Sequence, residues 1–135
     1  MTAAVVTGAG HALPATYEQG HVWDGFFAAQ YAGVRAAERV FRAAGAQRRH
    51  AVVNPVDEDV SRWGTGARME RFIVEALPLG KQAVAGALDA AGLAPGDVGL
   101  FAVASCTGYA TPGLDIRLAS DLGMSVDAQD RKSVV

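Results

Sequence analysis

Three groups of residues in this chain have types and spacings suited to chemistry. The first is the run Ser105, Cys106, Thr107 and Gly108, which holds the single cysteine of the sequence. A thiol becomes a nucleophile when a histidine or cation beside it favours the thiolate. No histidine lies near in sequence, so the residues alone favour a small buried hydrophobe at Cys106 over a nucleophile. The second group is Arg35, Arg39 and Arg42, spaced at i, i+4 and i+7 so that they share one helical face. Such a stripe is either solvated surface or a set of guanidinium forks for phosphate, and both readings stay open. The third is His50 with Asp57, Glu58 and Asp59, acid–base types whose loop spacing demands no site; they receive no role. His11, His21 and His50 are scattered without metal-ligand spacing, so no metal is expected.

Composition bounds what these groups can serve. The chain has 135 residues, 50% hydrophobic and 19% charged, with 12 basic and 14 acidic side chains. That excludes a disordered tail and is enough chain for an apolar core. A net charge of −2 gives no electrostatic footprint for nucleic acid or an anionic membrane, so neither is an expected partner. One cysteine excludes a disulfide framework and fits a reducing compartment; residues 1–10 lack the basic start of an export signal. The longest uncharged run, residues 98–114, ends in turn residues and reads as a buried strand entering a turn, not as a membrane span. A cytoplasmic protein is expected.

These groups need elements to hold them. Residues 3–7 read as a buried strand closed by Gly8 and Gly10; Leu13 fills the third glycine position of a dinucleotide loop, so a plain turn is the reading there. Residues 17–30 and 33–44 read as helices, the second with Val34, Ala37, Val40 and Phe41 on one side and Gly45 as its stop. Residues 47–53 read as a strand and 54–65 as loop, with Arg48 and Arg49 solvated and Trp23 and Trp63 as packing residues.

From residue 66 to 91, Met69, Ile73, Ala76, Gly80, Val84, Ala87 and Ala91 repeat at helical steps, and Phe72, Leu77 and Leu88 widen the stripe, which predicts a helix buried over much of its circumference. Pro78 should kink it. Gly80, Ala83, Ala87 and Ala91 are small enough to let another backbone come close. Residues 98–104 read as a fully buried strand, and Pro112, capped by Thr111, as the start of a helix to Leu122. Helices alternating with apolar strands argue an α/β fold with a covered sheet.

The stretch ASCTGYATPGLDIRLASDLGM, residues 104–124, resembles the signature of the type III polyketide synthases, the chalcone and stilbene synthase family. Ser105, Cys106, Thr107, Gly108, Pro112, Gly113 and Asp115 stand at the matching positions. ARMERFIVEALPLGKQAV (67–84) is similar to the family's long helix, and GAQRRH (45–50) to its basic turn before a strand. The resemblance implies an α/β, thiolase-like fold of αβαβα layers, of which this chain is the N-terminal half only. It also implies a homodimer that condenses an acyl-CoA starter with malonyl-CoA, with coenzyme A thioesters as substrates and no permanently bound cofactor. Ketoacyl-ACP synthase III is the alternative within the same fold, and a non-catalytic nucleotide- or acyl-binding module the alternative outside it.

Residue by residue, the resemblance makes Cys106 a pocket-lining position, threonine in plant members and cysteine in some bacterial ones, with Thr107 beside it. Thr111 matches the position whose side chain crosses the dimer into the neighbour's pocket. The nucleophilic cysteine would fall just past Val135 and the histidine and asparagine later, so no catalytic residue is expected among these residues and the chain alone should not catalyse condensation. Of the family's coenzyme A-binding basic positions, Arg39 coincides; the others fall on Ala36 and Ala43, with Arg35 and Arg42 as neighbouring substitutes. Finally, DRKSVV (130–135) breaks the preceding pattern, and one back-translation of it resembles a common sequencing adapter read in frame; an ordinary polar C-terminus is the alternative. Residues 1–129 are therefore expected to be a partial synthase-like domain and 130–135 a non-native tail. A longer sequence of the locus that keeps DRKSVV in place would overturn that expectation.

Overall fold

The computed structural model describes residues 3–125 and the backbone of the strand Gln129–Val134. The chain divides into two compact units, Leu13–Trp63 on one hand and Met1–Ala12 with Gly64–Val135 on the other.

In the first unit, β1 (Thr16–Glu18) pairs antiparallel with β2 (Arg48–His50), with Thr16 opposite His50 and Glu18 opposite Arg48. Between them run α1 (Gln19–Val22), a π-helical turn (Trp23–Phe27), α2 (Ala28–Gln30) and α3 (Ala37–Arg42). The first expected helix therefore starts two residues late, because Tyr17 and Glu18 are drawn into strand pairing with Arg49 and Arg48. The second is shorter than its apolar spacing suggests. Gly33 has φ +88 and the backbone turns at Val34 before the helix begins. The core of this unit is aromatic: the Phe41 ring lies 5.1 Å from Trp23 and 5.2 Å from Phe27. Val22 and Trp23 are buried, and Asn54 is buried with its amide donating to Asp57 at 2.7 Å. The neighbouring Asp59 carboxylate accepts the Ser61 N–H at 2.9 Å, and its hydrogen bonds to Ser61 hold its pKa below the usual carboxylate value. His50, Asp57 and Asp59 thus serve local geometry, since His50 Nδ1 lies 3.0 Å from the Pro14 carbonyl oxygen.

The second unit is built on α4 (Thr65–Ala91), a single helix of 27 residues that passes through Pro78. It stops at Gly92, φ +67, where Gly92 N–H bonds to Asp89 O at 3.1 Å and Leu93 N–H to Leu88 O at 3.0 Å, the paired bonds of a Schellman stop. After a 3-10 turn (Pro95–Asp97) come β3 (Leu100–Ser105), α5 (Leu114–Leu122) and β4 (Gln129–Val134). β3 and β4 pair parallel, Leu100 opposite Gln129 through Ser105 opposite Val134. A parallel pair joined through a helix is the βαβ arrangement expected of an α/β fold. Most of the segment expected to be a non-native tail, residues 130–135, lies in β4.

Three expectations are corrected in this unit. Residues 3–7 are not a buried strand, since they pair with no strand among the described residues and Val6 is 90% exposed. Their apolar character found no sheet neighbour, and the next residues lie along α4 instead. β3 is not fully buried: its residues alternate exposed and half-buried, with Leu100 56% exposed, because one face alone is covered. α4 is likewise half-buried or exposed along its length, with no residue fully buried. The expected close approach to its small residues does occur. A Cβ at Gly10 would stand 2.2 Å from Ala83 O and one at Gly8 2.4 Å from Ala87 O, so backbone lies directly on the helix. At Gly80 the methyls of Leu118 take the same place.

Candidate functional site

β3 delivers Ser105 to its C-terminal end, and there the chain closes on itself. Ser105 Oγ donates to Gly108 O at 2.8 Å and accepts the Gly108 N–H at 3.4 Å. Gly108 sits where a Cβ would meet the Phe72 ring of α4 at 2.3 Å, and Tyr109 N–H points to Met69 Sδ at 3.3 Å. The turn is thus pinned to the N-terminal half of α4 by contacts that leave no room for a side chain at 108. Cys106 and Thr107 stand at its tip, both exposed. The expectation of a buried hydrophobe at Cys106 is corrected: a strand end that turns sharply points its tip residues outward.

The loop returns through a cis Thr111–Pro112 bond to α5. Arg117 Nε donates back to Pro112 O at 3.0 Å, and the helix is capped at Gly113, so Thr111 and Pro112 precede the helix and do not start it. Asp115, in the first turn of α5, is buried with its carboxylate folded over Gly113, and its Oδ1 has no hydrogen-bond partner among the described residues. Between this loop and α4 lies a hollow of about 630 Å³. Met69, Ile73 and Val74 form one wall and Tyr109, Ala110 and Thr111 the other, with Glu70 and Arg117 as its charged residues. Size and apolar lining suit a small organic group. Thr111 lines the hollow; Cys106 and Thr107 do not.

The arginines belong to the other unit. Arg35 stands in the turn before α3, so no common helical stripe joins it to Arg39 and Arg42. Arg42 is committed: its Nη2 lies 2.8 Å from Asp24 Oδ1 and its Nε 2.8 Å from Glu38 Oε1. The hydrogen bond to Glu38 raises its pKa above the usual guanidinium value. Arg39 is exposed, and so is Arg35, beside a hollow that Trp23, Tyr31 and Glu38 also line. Arg49, expected to be solvated, is exposed and also donates its Nε to Gln19 Oε1. Gln19 was not legible as a key residue, because a glutamine between Glu18 and Gly20 reads as surface. Among the described residues no three His, Cys, Asp or Glu side chains gather as metal ligands, and no helix is long and apolar enough to cross a membrane.

No family profile matches the chain. Among solved structures, a fungal type III polyketide synthase superposes with a TM-score of 0.82 at 24% identity, covering 96% of this chain and 36% of its own. The 1,3,6,8-tetrahydroxynaphthalene synthase of Streptomyces coelicolor A3(2), a bacterial type III polyketide synthase, gives 0.84 at 19% identity over 97% and 38%. The fold is therefore the thiolase-like α/β fold of type III polyketide synthases. In sequence the chain is 36% identical over 91 residues to a 1,3,6,8-tetrahydroxynaphthalene synthase of Streptomyces peucetius subsp. caesius, over 67% of this chain. By fold and sequence together, the chain is similar to the type III polyketide synthases. It spans 24% of that curated relative's length.

Proposed function

We propose that the protein carrying this chain is an acyltransferase that condenses an acyl-CoA starter with malonyl-CoA units into a polyketide. The observation that supports this most directly is the sequence identity to a tetrahydroxynaphthalene synthase, since it accompanies the family's signature residues at the end of β3. In this reading a cysteine thiolate C-terminal to Val135 attacks the starter thioester, forms the acyl–sulfur bond and releases the coenzyme A thiolate. Malonyl-CoA then loses carbon dioxide, and the electron pair of the broken bond becomes an enolate. The enolate attacks the acyl carbon and expels the cysteine thiolate. The protein acts as a homodimer in the cytoplasm, as the free cysteine and the family's habits suggest.

Within this reading Cys106, Thr107 and Thr111 shape the product pocket, and Thr111 already lines a hollow of suitable size. Arg39 contacts the phosphates of coenzyme A. Arg35 assists from the preceding turn, and Arg42 contributes only by leaving its ion pairs with Asp24 and Glu38. The full-length protein, incubated with acyl-CoA and malonyl-CoA, should release carbon dioxide and yield products extended by two-carbon units in mass spectra. Reaction with acyl carrier protein thioesters alone would favour the ketoacyl-ACP synthase III alternative, and no turnover with either a binding module.

Cys106→Ser in that protein should retain starter loading while changing chain length, cyclisation or turnover. A small alteration of a pocket wall changes selectivity by about one to three kcal/mol. Mass spectrometry of the acyl-enzyme decides: an adduct that maps to Cys106, or vanishes in the variant, contradicts the assignment.

A further inference from the structure

We infer that Gln19 is a positioning residue for coenzyme A recognition, acting through the helix that carries Arg39. The inference rests on the reading that Arg39 meets the coenzyme A phosphates. α3 has six residues, Ala37–Arg42, far too few to be stable by itself. Its place is set by what grips it from outside. Phe41 is held by its ring, against Trp23 and Phe27, and by its carbonyl, which accepts a hydrogen bond from Gln19 Nε2. That carbonyl belongs to the last turn of α3, where its other partner is the Ala44 N–H at a long 3.4 Å.

Gln19 is itself fixed on every side. It is 3% exposed, its Oε1 accepts from Arg49 Nε in β2, and its backbone N–H bonds to Gln47 O at 2.8 Å. A primary amide buried this deeply is unfavourable unless both of its ends are satisfied, and in this site both are. The amide therefore links β2 to the end of α3, two residues from Arg39. Arg42 anchors the same helix to Asp24 from its own side chain, which leaves Arg39 free to face a ligand while its helix is held. Loss of the Gln19 amide frees the end of α3 and blurs the position of the Arg39 guanidinium, whose value for phosphate lies in its placement.

The test is steady-state kinetics on the full-length enzyme at saturating malonyl-CoA. The starter is offered as its coenzyme A thioester or as its N-acetylcysteamine thioester, which carries no phosphate. Gln19→Leu should raise KM for the acyl-CoA about three- to tenfold, the scale of one lost hydrogen bond, with kcat and the KM for the phosphate-free thioester unchanged. In an Arg39→Ala background Gln19→Leu should add nothing further. Gln19→Glu keeps the acceptor for Arg49 but loses the donor to Phe41 O, so it should show the same shift even where the leucine variant fails to fold. Equal losses on both thioesters, a fall in kcat alone, or a shift that persists without Arg39 would each overturn the inference. A KM raised by Arg39→Ala but by neither Gln19 variant overturns it while leaving the Arg39 reading intact. An acyl-CoA KM unchanged by Arg39→Ala overturns both.

Discussion

Leu118→Ala should be among the most destabilising single truncations in this chain, at about 2–5 kcal/mol. Leu118 is 2% exposed, the most deeply buried apolar residue among those described. Its side chain rests on the glycine of α4 at position 80, where an added Cβ would lie 3.0 Å from Cδ1 and 3.1 Å from Cδ2. The same crossing of α4 and α5 carries an ion pair, Lys81 Nζ to Asp121 Oδ2 at 3.1 Å, but both partners are substantially exposed. An exposed pair contributes at most about 1 kcal/mol. Packing, not charge, should therefore decide how α5 is held. Denaturant unfolding of the purified protein separates the two: Asp121→Ala should cost less than a quarter of the leucine truncation at its upper range. Gly80→Ala should gain less than the about 0.5–1 kcal/mol that alanine usually gains over glycine inside a helix, and recover that gain in the Leu118→Ala background, because the truncation vacates the space the new methyl needs. Equal costs for Asp121→Ala and Leu118→Ala would refute this account.

The long helix was the most legible part of the fold. Its apolar residues keep helical spacing from Met69 to Ala91, and the expected helix, residues 66–91, differs from the observed Thr65–Ala91 by one residue. The small residues at 80, 83, 87 and 91 also announced a close neighbour. Pattern could not say what that neighbour would be, because the partners come from distant sequence, Gly8 and Gly10 at one end and Leu118 at the other. Burial was overestimated for a related reason. Periodicity reports which face is apolar, whereas exposure depends on what lies against it, and Leu100 and Val74 are apolar and exposed.

The candidate site was legible where chemistry is local. The turn after β3 was placed by its Ser-Cys-Thr-Gly run, and the Ser105–Gly108 hydrogen bonds close it within four residues. The arginine stripe failed because spacing on paper assumed a helix already formed at Arg35, and the turn after Gly33 delays it to Ala37. Gln19 and Arg49 were invisible for the opposite reason. Their partnership spans α1, β2 and α3, and no spacing rule reaches across three elements.

Gly10→Ala should detach the N-terminal segment from α4, and it separates steric from conformational roles of glycine cleanly. The backbone angle at Gly10 is not in the left-handed region, so alanine meets no conformational penalty there. By itself the change would favour folding by about 0.4–1 kcal/mol, through a less flexible unfolded chain. Space reverses the sign. The new Cβ would lie 2.2 Å from Ala83 O and 2.4 Å from Ala87 N, both main-chain atoms inside a helix of 27 residues. Neither atom can rotate away as a side chain would, so the segment must lift, at the 1–3 kcal/mol or so typical of overpacking. Gly86→Ala is the control on the other side of the contact. Its Cβ would stand 3.8 Å from Gly10 Cα, an ordinary van der Waals distance, and alanine gains about 0.5–1 kcal/mol over glycine inside a helix. The two variants should therefore move the unfolding midpoint in opposite directions, with Gly10→Ala also speeding hydrogen exchange and proteolytic cleavage around residues 8–10. If both substitutions stabilise, the segment does not rest on the helix as described, and the small-residue stripe of α4 serves something else.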